Sequence, residues 1–271
     1  MSSDSFSEEF RIVVSDKKMN KLGIGGTAQS TARSVYFFAQ REKGGEIFIQ
    51  PLGGNFCPAG DRRAIPLLDL IENYHPEPLF YYNRVKPVMD GVQADIEKGE
   101  KNLEAGRHEL AEKCFKRALE VDADNVRGIF GLGTAYLEAG KTEEAEELLG
   151  RIMNLEMAFA PEHAHLFNQF GIRMRKAGML RQALDYYGKA AALNERDEHL
   201  HFNICRIHYE MDDLDASFDC LAKALDLNGD FREGVLMRDH LLRRKPGLAS
   251  RGGDKAEASD GREESGPIRV D

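Results

Sequence analysis

The chain has 271 residues, and 46 acidic side chains outnumber 37 Lys and Arg, so its formal net charge is −9 at pH 7. This excess of negative charge disfavours general nucleic-acid binding, because phosphate backbones attract basic surfaces. No apolar run approaches the roughly 18 residues that a membrane-spanning helix requires, so membrane insertion is not expected. The acidic start differs from a signal peptide, and the four cysteines form no CxxC pair. A cytoplasmic location is therefore predicted.

A small β-containing unit is predicted over residues 1–86. Residues 10–14 are a strand candidate, and β-branched and aromatic runs at 34–40 and 46–52 flank a glycine-containing turn, which is typical of a hairpin. A short helix is expected over 66–74. The many aromatic residues of this unit are interpreted as its core and as a docking surface for the next domain.

Residues 22–27 resemble a phosphate-binding glycine loop, in which bare backbone N–H groups face an anion. The dinucleotide pattern requires glycine at Ala28, and the P-loop requires a closing Lys followed by Ser or Thr. Neither requirement is met, which favours a flexible entry to the hairpin. An N-terminal nucleotide or small-ligand sensor coupled to the following domain stays open as an alternative.

Small and apolar residues recur through the second half of the chain at steps of 34, 38 and 34 residues. Four sets keep this spacing: Gly99, Gly133, Gly171 and Cys205; Gly106, Gly140, Gly178 and Asp212; Ala111, Ala145, Ala183 and Ser217; Phe115, Leu149, Tyr187 and Leu221. A period of this size indicates one supersecondary unit that is copied and stacked.

Each copy is predicted to form two amphipathic helices joined by a tight turn. In the second copy, Ile129, Gly133 and Tyr136 lie on one face of the first helix. Gly140 follows that helix, where a left-handed residue commonly ends a helix and glycine adopts this conformation cheaply. Small residues such as Gly133 and Ala145 allow the two helices to approach closely.

This pattern resembles the tetratricopeptide repeat, on Leu132-Gly133-x-x-Tyr136 followed by Ala145 and on the equivalent positions of the other copies. Four copies are counted, at about 92–125, 126–159, 164–197 and 198–231. The family's first-helix tryptophan and closing proline are missing from all four. The resemblance implies a mainly α fold, a right-handed α-solenoid of helix pairs with a small N-terminal β-hairpin-containing unit.

The same reading divides the chain into three parts. Residues 1–86 form the β-containing unit, 87–245 form the repeat solenoid with a C-terminal capping helix at 231–244, and 246–271 form a disordered tail. The tail is rich in charged and small residues and lacks aromatics, so it buries too little surface to offset the cost of ordering.

One metal-ligand pattern was weighed, because His201, Cys205 and His208 share a helix face. Their positions match core positions Ile129, Gly133 and Tyr136 of the second copy, so we interpret them as core residues. No arrangement typical of a catalytic triad is recognisable. The prediction is a chain without metal, cofactor or enzymatic activity.

The resemblance implies a concave groove, lined by the first helix of each copy, that binds a segment of another protein. Amides there can bind a peptide backbone and arginines pair with carboxylates, so the partner is predicted to have some acidic character. The predicted groove residues are Arg127, Phe130, Asn168, Gln169, Ile172, Arg175, Phe202, Asn203, Arg206 and Tyr209.

Two further functions stay open. One is an assembly or secretion chaperone that shields a client protein, and the other is self-association into a homo-oligomer. One subtype is excluded by the residues. The family members that grip the C-terminal carboxylate of heat-shock chaperones use Lys and Asn where this chain has Ile96 and Glu100. They use Asn in place of Gly131, and Lys and Arg in place of His165 and Gln169.

Overall fold

The computed structural model describes residues 9–22, 29–41 and 45–248. The chain forms two compact units, Met1–Ala139 and Gly140–Asp271. Nearly all of the glycine-rich stretch at 22–27, most of the predicted hairpin turn and the predicted tail from residue 249 onward lie outside the described residues.

The first unit begins with an antiparallel five-stranded sheet in the order β4-β3-β2-β1-β5. Its strands are β1 (Phe10–Leu22), β2 (Gln29–Arg41), β3 (Ile47–Pro51), β4 (Arg63–Ile65) and β5 (His75–Pro76). The predicted hairpin is present as β2 and β3. The first strand is longer than the predicted 10–14, because β1 pairs with β2 along its whole length, from Phe10 opposite Arg41 to Leu22 opposite Gln29.

The sheet is covered on both faces, and successive side chains along a strand contribute to opposite faces. Val14 and Ala39 lie in one buried cluster with Ile49, against which Leu67 and Leu70 of helix α1 (Leu67–Asn73) pack. On the opposite face, Val13 and Phe38 lie in a cluster with Val85. Val85 ends a π-helical turn (Tyr81–Val85) that follows α2 (Pro78–Phe80) and leads into the repeat helices.

The loop after β3 docks on the first pair of repeat helices. The side-chain amide of Asn55 donates a hydrogen bond to the carbonyl of Val121, at the end of the second repeat helix. Asn55 also accepts a hydrogen bond from the backbone N–H of Cys57 at 3.1 Å. Phe56 between them has a left-handed φ of 64°. This conformation is costly for a bulky residue, so the loop is held by its contacts.

The repeat helices of the first unit are α3 (Lys86–Glu104), α4 (His108–Val121) and α5 (Val126–Glu138). Two glycines let the Phe115 ring of α4 lie between α3 and α5. A Cβ added at Gly99 would come within 2.7 Å of that ring, and one at Gly131 within 2.3 Å. The Phe115 ring therefore lies against the backbone of both neighbouring helices.

The second unit consists of helices alone in its described part. Its α-helices are α6 (Thr142–Asn154), α7 (Ala164–Lys176), α8 (Leu180–Leu193), α9 (Glu198–Glu210), α10 (Leu214–Leu227) and α11 (Arg232–Arg244). Two short 3-10 helices, Glu156–Phe159 and Pro161–His163, occupy the joint where the period lengthens to 38 residues. The fold class is thus as predicted, mainly α with repeated helix pairs and a small N-terminal β unit.

The last helix packs on the fourth copy. Leu241 of α11 is fully buried in a cluster with Phe218 and Leu221 of α10. A 3-10 helix, Pro246–Leu248, follows, and Leu248 joins the same cluster. This 3-10 helix covers the first three residues of the segment for which a tail was predicted.

Candidate functional site

The predicted groove residues lie on the first helix of three copies. Arg127 and Phe130 lie on α5 of the first unit, and the other eight lie on α7 and α9 of the second unit. These two groups behave differently in the structure.

In the first unit, both residues are already occupied by internal contacts. Arg127 donates hydrogen bonds from Nη2 to both carboxylate oxygens of Glu100, at 2.7 and 2.9 Å, and from Nη1 to Gln93 at 3.2 Å. Phe130 is only 2% exposed, so its ring belongs to the packed interior. Both side chains are therefore already engaged in contacts within the protein.

In the second unit, an ion pair joins the two helices that carry the predicted site. The guanidinium of Arg175, near the end of α7, pairs with the carboxylate of Glu210, the last residue of α9. The Arg175 side chain is 10% exposed and that of Glu210 is 35% exposed. Because Arg175 is nearly buried, this pair fixes the direction of its guanidinium.

Arg206 of α9 is half-buried beside Arg175, and it makes no ion pair with any residue that the structure describes. Its guanidinium lies 5.9 Å from the centre of the Phe202 ring. Burial lowers the pKa of Arg206 from its ordinary value, and the positive charge of Arg175 lowers this pKa further, while Glu210 acts in the opposite direction. The positive charges of Arg175 and Arg206 therefore both lie near the single negative charge of Glu210.

Tyr187 of α8 lies close enough to Arg175 and Arg206 for both charges to act on its phenol. A Cβ added at Gly171 of α7 would come within 2.4 Å of the Tyr187 ring, so glycine is required for the ring to lie there. The Tyr187 hydroxyl donates to the carbonyl of Asn168 at 3.1 Å. Burial raises the pKa of this phenol, and the charges of Arg175 and Arg206 oppose the rise. The tyrosine thus stays neutral between two cations.

Amide side chains lie on the same two helices. Oδ1 of Asn168 is buried and accepts no hydrogen bond from any residue in the described part of the chain. Gln169 is exposed, and Ile172 and Asn203 are half-buried. An acceptor left without a donor costs about 1–3 kcal/mol, so the position of Asn168 is unfavourable for the stability of this unit.

The aromatic side chains of α9 contact the segment around α11. The Phe202 ring meets the edge of Phe231 at 5.0 Å between centres. The Tyr209 hydroxyl is 2.7 Å from Nε2 of His240, and the Arg244 guanidinium lies 5.0 Å from the centre of the Tyr209 ring. Tyr209 therefore links α9 to the last helix and is only half-exposed.

Sequence reasoning missed Glu210 and Tyr187 as members of this site. Glu210 stands four residues after Arg206, which places the two on one side of α9, and this spacing was the available signal. Tyr187 was recognised only as a core residue of the fourth repeated set. The Tyr187 hydroxyl reaches the backbone of α7 because the residue of α7 that faces the ring, Gly171, has no side chain.

The residues weighed as metal ligands are engaged in other contacts. Cys205 is fully buried, and its Sγ lies 3.3 Å from the Ser217 hydroxyl. The His201 ring nitrogen lies 3.1 Å from the carbonyl of Glu195, and the His208 ring nitrogen lies 3.8 Å from Asp213. Across the described residues, no group of three or more His, Cys, Asp or Glu is placed to hold a metal ion.

Among the helices in the described ranges, none is both long enough and apolar enough to cross a bilayer.

Comparison with known proteins agrees with the repeat. Residues 102–166 match the family model of the tetratricopeptide repeat. Anaphase-promoting complex subunit 3 of Schizosaccharomyces pombe is 23% identical over 108 residues, which are 40% of this chain and 16% of that protein. DnaJ homolog subfamily C member 3 of Rattus norvegicus is 33% identical over 108 residues, which are 38% of this chain and 21% of that protein. The chain spans about a fifth of the length of these curated relatives.

Solved structures with a similar course of the chain are also known. MamA of Desulfovibrio magneticus RS-1 gives a TM-score of 0.46 at 16% identity, over 64% of this chain and 98% of that chain. PilF of Pseudomonas aeruginosa gives a TM-score of 0.47 at 18% identity, over 65% of this chain and 80% of that chain.

Repeats of this family serve as protein-interaction scaffolds, and proteins built from them are typically non-enzymatic. The fold therefore indicates protein partners. The chain therefore contains helix pairs of the tetratricopeptide kind, with the family match at residues 102–166 and helix pairs at similar spacing on both sides of it.

Proposed function

We propose that this protein is an interaction scaffold that binds an acidic segment of a partner protein on the α7 and α9 surface of its second unit. The observation that carries the proposal is the half-buried Arg206, which lies beside a second arginine and has no ion-pair partner among the described residues.

A charge in this position favours an anionic ligand. Removing an arginine from water costs free energy unless a hydrogen-bonded counter-charge replaces the water. Arg206 and Arg175 together carry two positive charges, and Glu210 supplies one negative charge beside them. A carboxylate from a partner would complete the balance, and the planar guanidinium suits it because it donates two parallel hydrogen bonds.

The amides on the same surface suit the backbone of an extended segment. Gln169 is exposed and Asn203 is half-buried, and each side chain offers both a donor and an acceptor. Ile172 and Phe202 supply apolar area between these polar groups. This combination supports recognition of a peptide with at least one acidic side chain.

The experiment compares two charge reversals in the full chain. Arg206→Glu places a negative charge in the proposed carboxylate site. Arg181→Glu makes the same change of net charge at an exposed position of α8. Partners are recovered from cells by crosslinking and quantified by mass spectrometry.

We expect Arg206→Glu to lose at least tenfold of the recovered partner, because a buried like-charge contact costs more than 1.4 kcal/mol. Arg181→Glu should recover the partner at the level of the unmodified chain. Equal recovery with both variants, with both folded by circular dichroism, would overturn the proposal.

A further inference from the structure

The arginines of the second unit already hold one carboxylate, and the chain itself supplies it. Glu210 reaches from the end of α9 to the Arg175 guanidinium on α7. It does not pair with Arg206, although Arg206 stands one helical turn before it on the same helix. The internal carboxylate therefore occupies one arginine and leaves the other open.

The position of Glu210 is unfavourable for a negative charge. It is the last residue of α9, where the helix dipole places partial negative charge on free carbonyl groups. Its side chain is also 35% exposed, so water hydrates the carboxylate if it leaves Arg175. The nearly buried Arg175 needs a counter-charge, and a carboxylate of another chain can supply one in place of Glu210.

We infer that Glu210 is a built-in competitor, which occupies Arg175 in the free protein and is displaced when a carboxylate of the partner bridges Arg175 and Arg206. This inference rests on the proposed function, because it concerns the same site. The displaced Glu210 sets a threshold: a weakly acidic segment does not repay the loss of the internal pair, whereas a segment with adjacent acidic residues does. Such competition gives specificity at the expense of affinity.

The test uses a fluorescein-labelled hexaglutamate peptide and measures its binding to the full chain by fluorescence anisotropy. Glu210→Gln removes the competing charge and nearly preserves the shape of the side chain. We expect this variant to bind the peptide about five- to tenfold more tightly than the unmodified chain. Arg206→Glu should bind it at least tenfold more weakly.

A matched control separates local competition from net charge. Glu147→Gln removes the same charge from an exposed position of α6 and should change the affinity by less than about twofold. Glu210→Asp keeps the charge but shortens the side chain by one methylene, so a smaller gain in the same direction is expected. This variant keeps the test valid if Glu210→Gln loses helical signal.

Each outcome decides the inference. Equal gains for Glu147→Gln and Glu210→Gln, a weaker or unchanged affinity for folded Glu210→Gln, or no peptide binding by any variant would overturn it. If Arg206→Glu loses the cellular partner while Glu210→Gln changes nothing, the binding surface stands and the competitor falls. If Arg206→Glu keeps the cellular partner, the proposed function itself fails.

Discussion

The residues that end the first helix of each copy share one backbone conformation. Gly106, Gly140 and Gly178 have φ angles of 68°, 74° and 79°, and Asp212 at the equivalent place has 62°. Glycine reaches this left-handed region without a Cβ clash, whereas other residues pay about 1–2 kcal/mol. The turn geometry is therefore conserved within the chain even where the glycine is not.

Two glycines of one helix pair allow this argument to be tested. Gly178→Ala puts a Cβ at a left-handed position before α8 and should destabilise the fold by about 1 kcal/mol. Gly188→Ala adds a methyl group inside α8, where no atom beyond its chain neighbours and the adjacent helix backbone lies within 4 Å of it, and should stabilise the fold by a similar amount. Urea denaturation measures both changes, and effects of the same sign would contradict the account.

At the scale of elements, the approach of one helix to the next depends on a glycine facing an aromatic ring. Gly171 of α7 accommodates Tyr187 of α8, just as Gly99 of α3 accommodates Phe115 of α4. In the fourth copy the same two positions hold Cys205 and Leu221, and Cys205 contacts the Ser217 hydroxyl instead. Cys205 is larger than the glycine of the other copies, and Leu221 is smaller than the aromatic residue that faces that glycine.

The Gly171 contact predicts a coupled pair of substitutions. Gly171→Ala should destabilise the protein by about 1–3 kcal/mol, because its Cβ would come within 2.4 Å of the Tyr187 ring. In a Tyr187→Leu background this loss should shrink by at least about 0.5 kcal/mol, since the clash is removed. A double-mutant cycle from denaturation curves measures the coupling, and strictly additive effects would contradict the packing.

The elements also show where sequence reasoning succeeds and where it stops. The repeat period identified the helix pairs, because each copy buries the same positions. It did not reveal the length of β1, since residues 15–22 are mostly polar and their place is set by pairing with β2. It also did not reveal the contact of Arg175 with Glu210, because that contact joins different copies and Glu210 lies outside the repeated positions.

At the scale of the whole molecule, average charge and local charge point in different directions. The chain carries −9, yet the α7 and α9 surface presents two arginines to one glutamate. The net charge of the whole chain therefore indicates which classes of partner are disfavoured, but it does not predict the charge of one particular surface. The predicted site stays a prediction: residue types favour Arg175 and Arg206, whereas Phe130 is buried and Arg127 already contacts Glu100.

The predicted division at residue 86 remains a proposal about folding units. Asn55 bonds to Val121, and the sheet packs on Val85 just before α3, so the sheet and the first repeat helices lie in one compact unit. We expect Asn55→Ala to destabilise this unit by about 1–2 kcal/mol, because the Val121 carbonyl and the Cys57 N–H both lose their partner. A change below about 0.3 kcal/mol in thermal denaturation would contradict a docking role for Asn55.

The central claim is that a partner segment lies on α7 and α9 of the second unit, and position-specific photocrosslinking in cells tests it most directly. Benzoylphenylalanine is introduced at the exposed Gln169 of α7 or, as the control, at the exposed Asp185 of α8. The account predicts that one protein is crosslinked from Gln169, that Arg206→Glu abolishes this crosslink, and that Asp185 gives none. Crosslinking of the same partner from Asp185 but not from Gln169 would contradict the account.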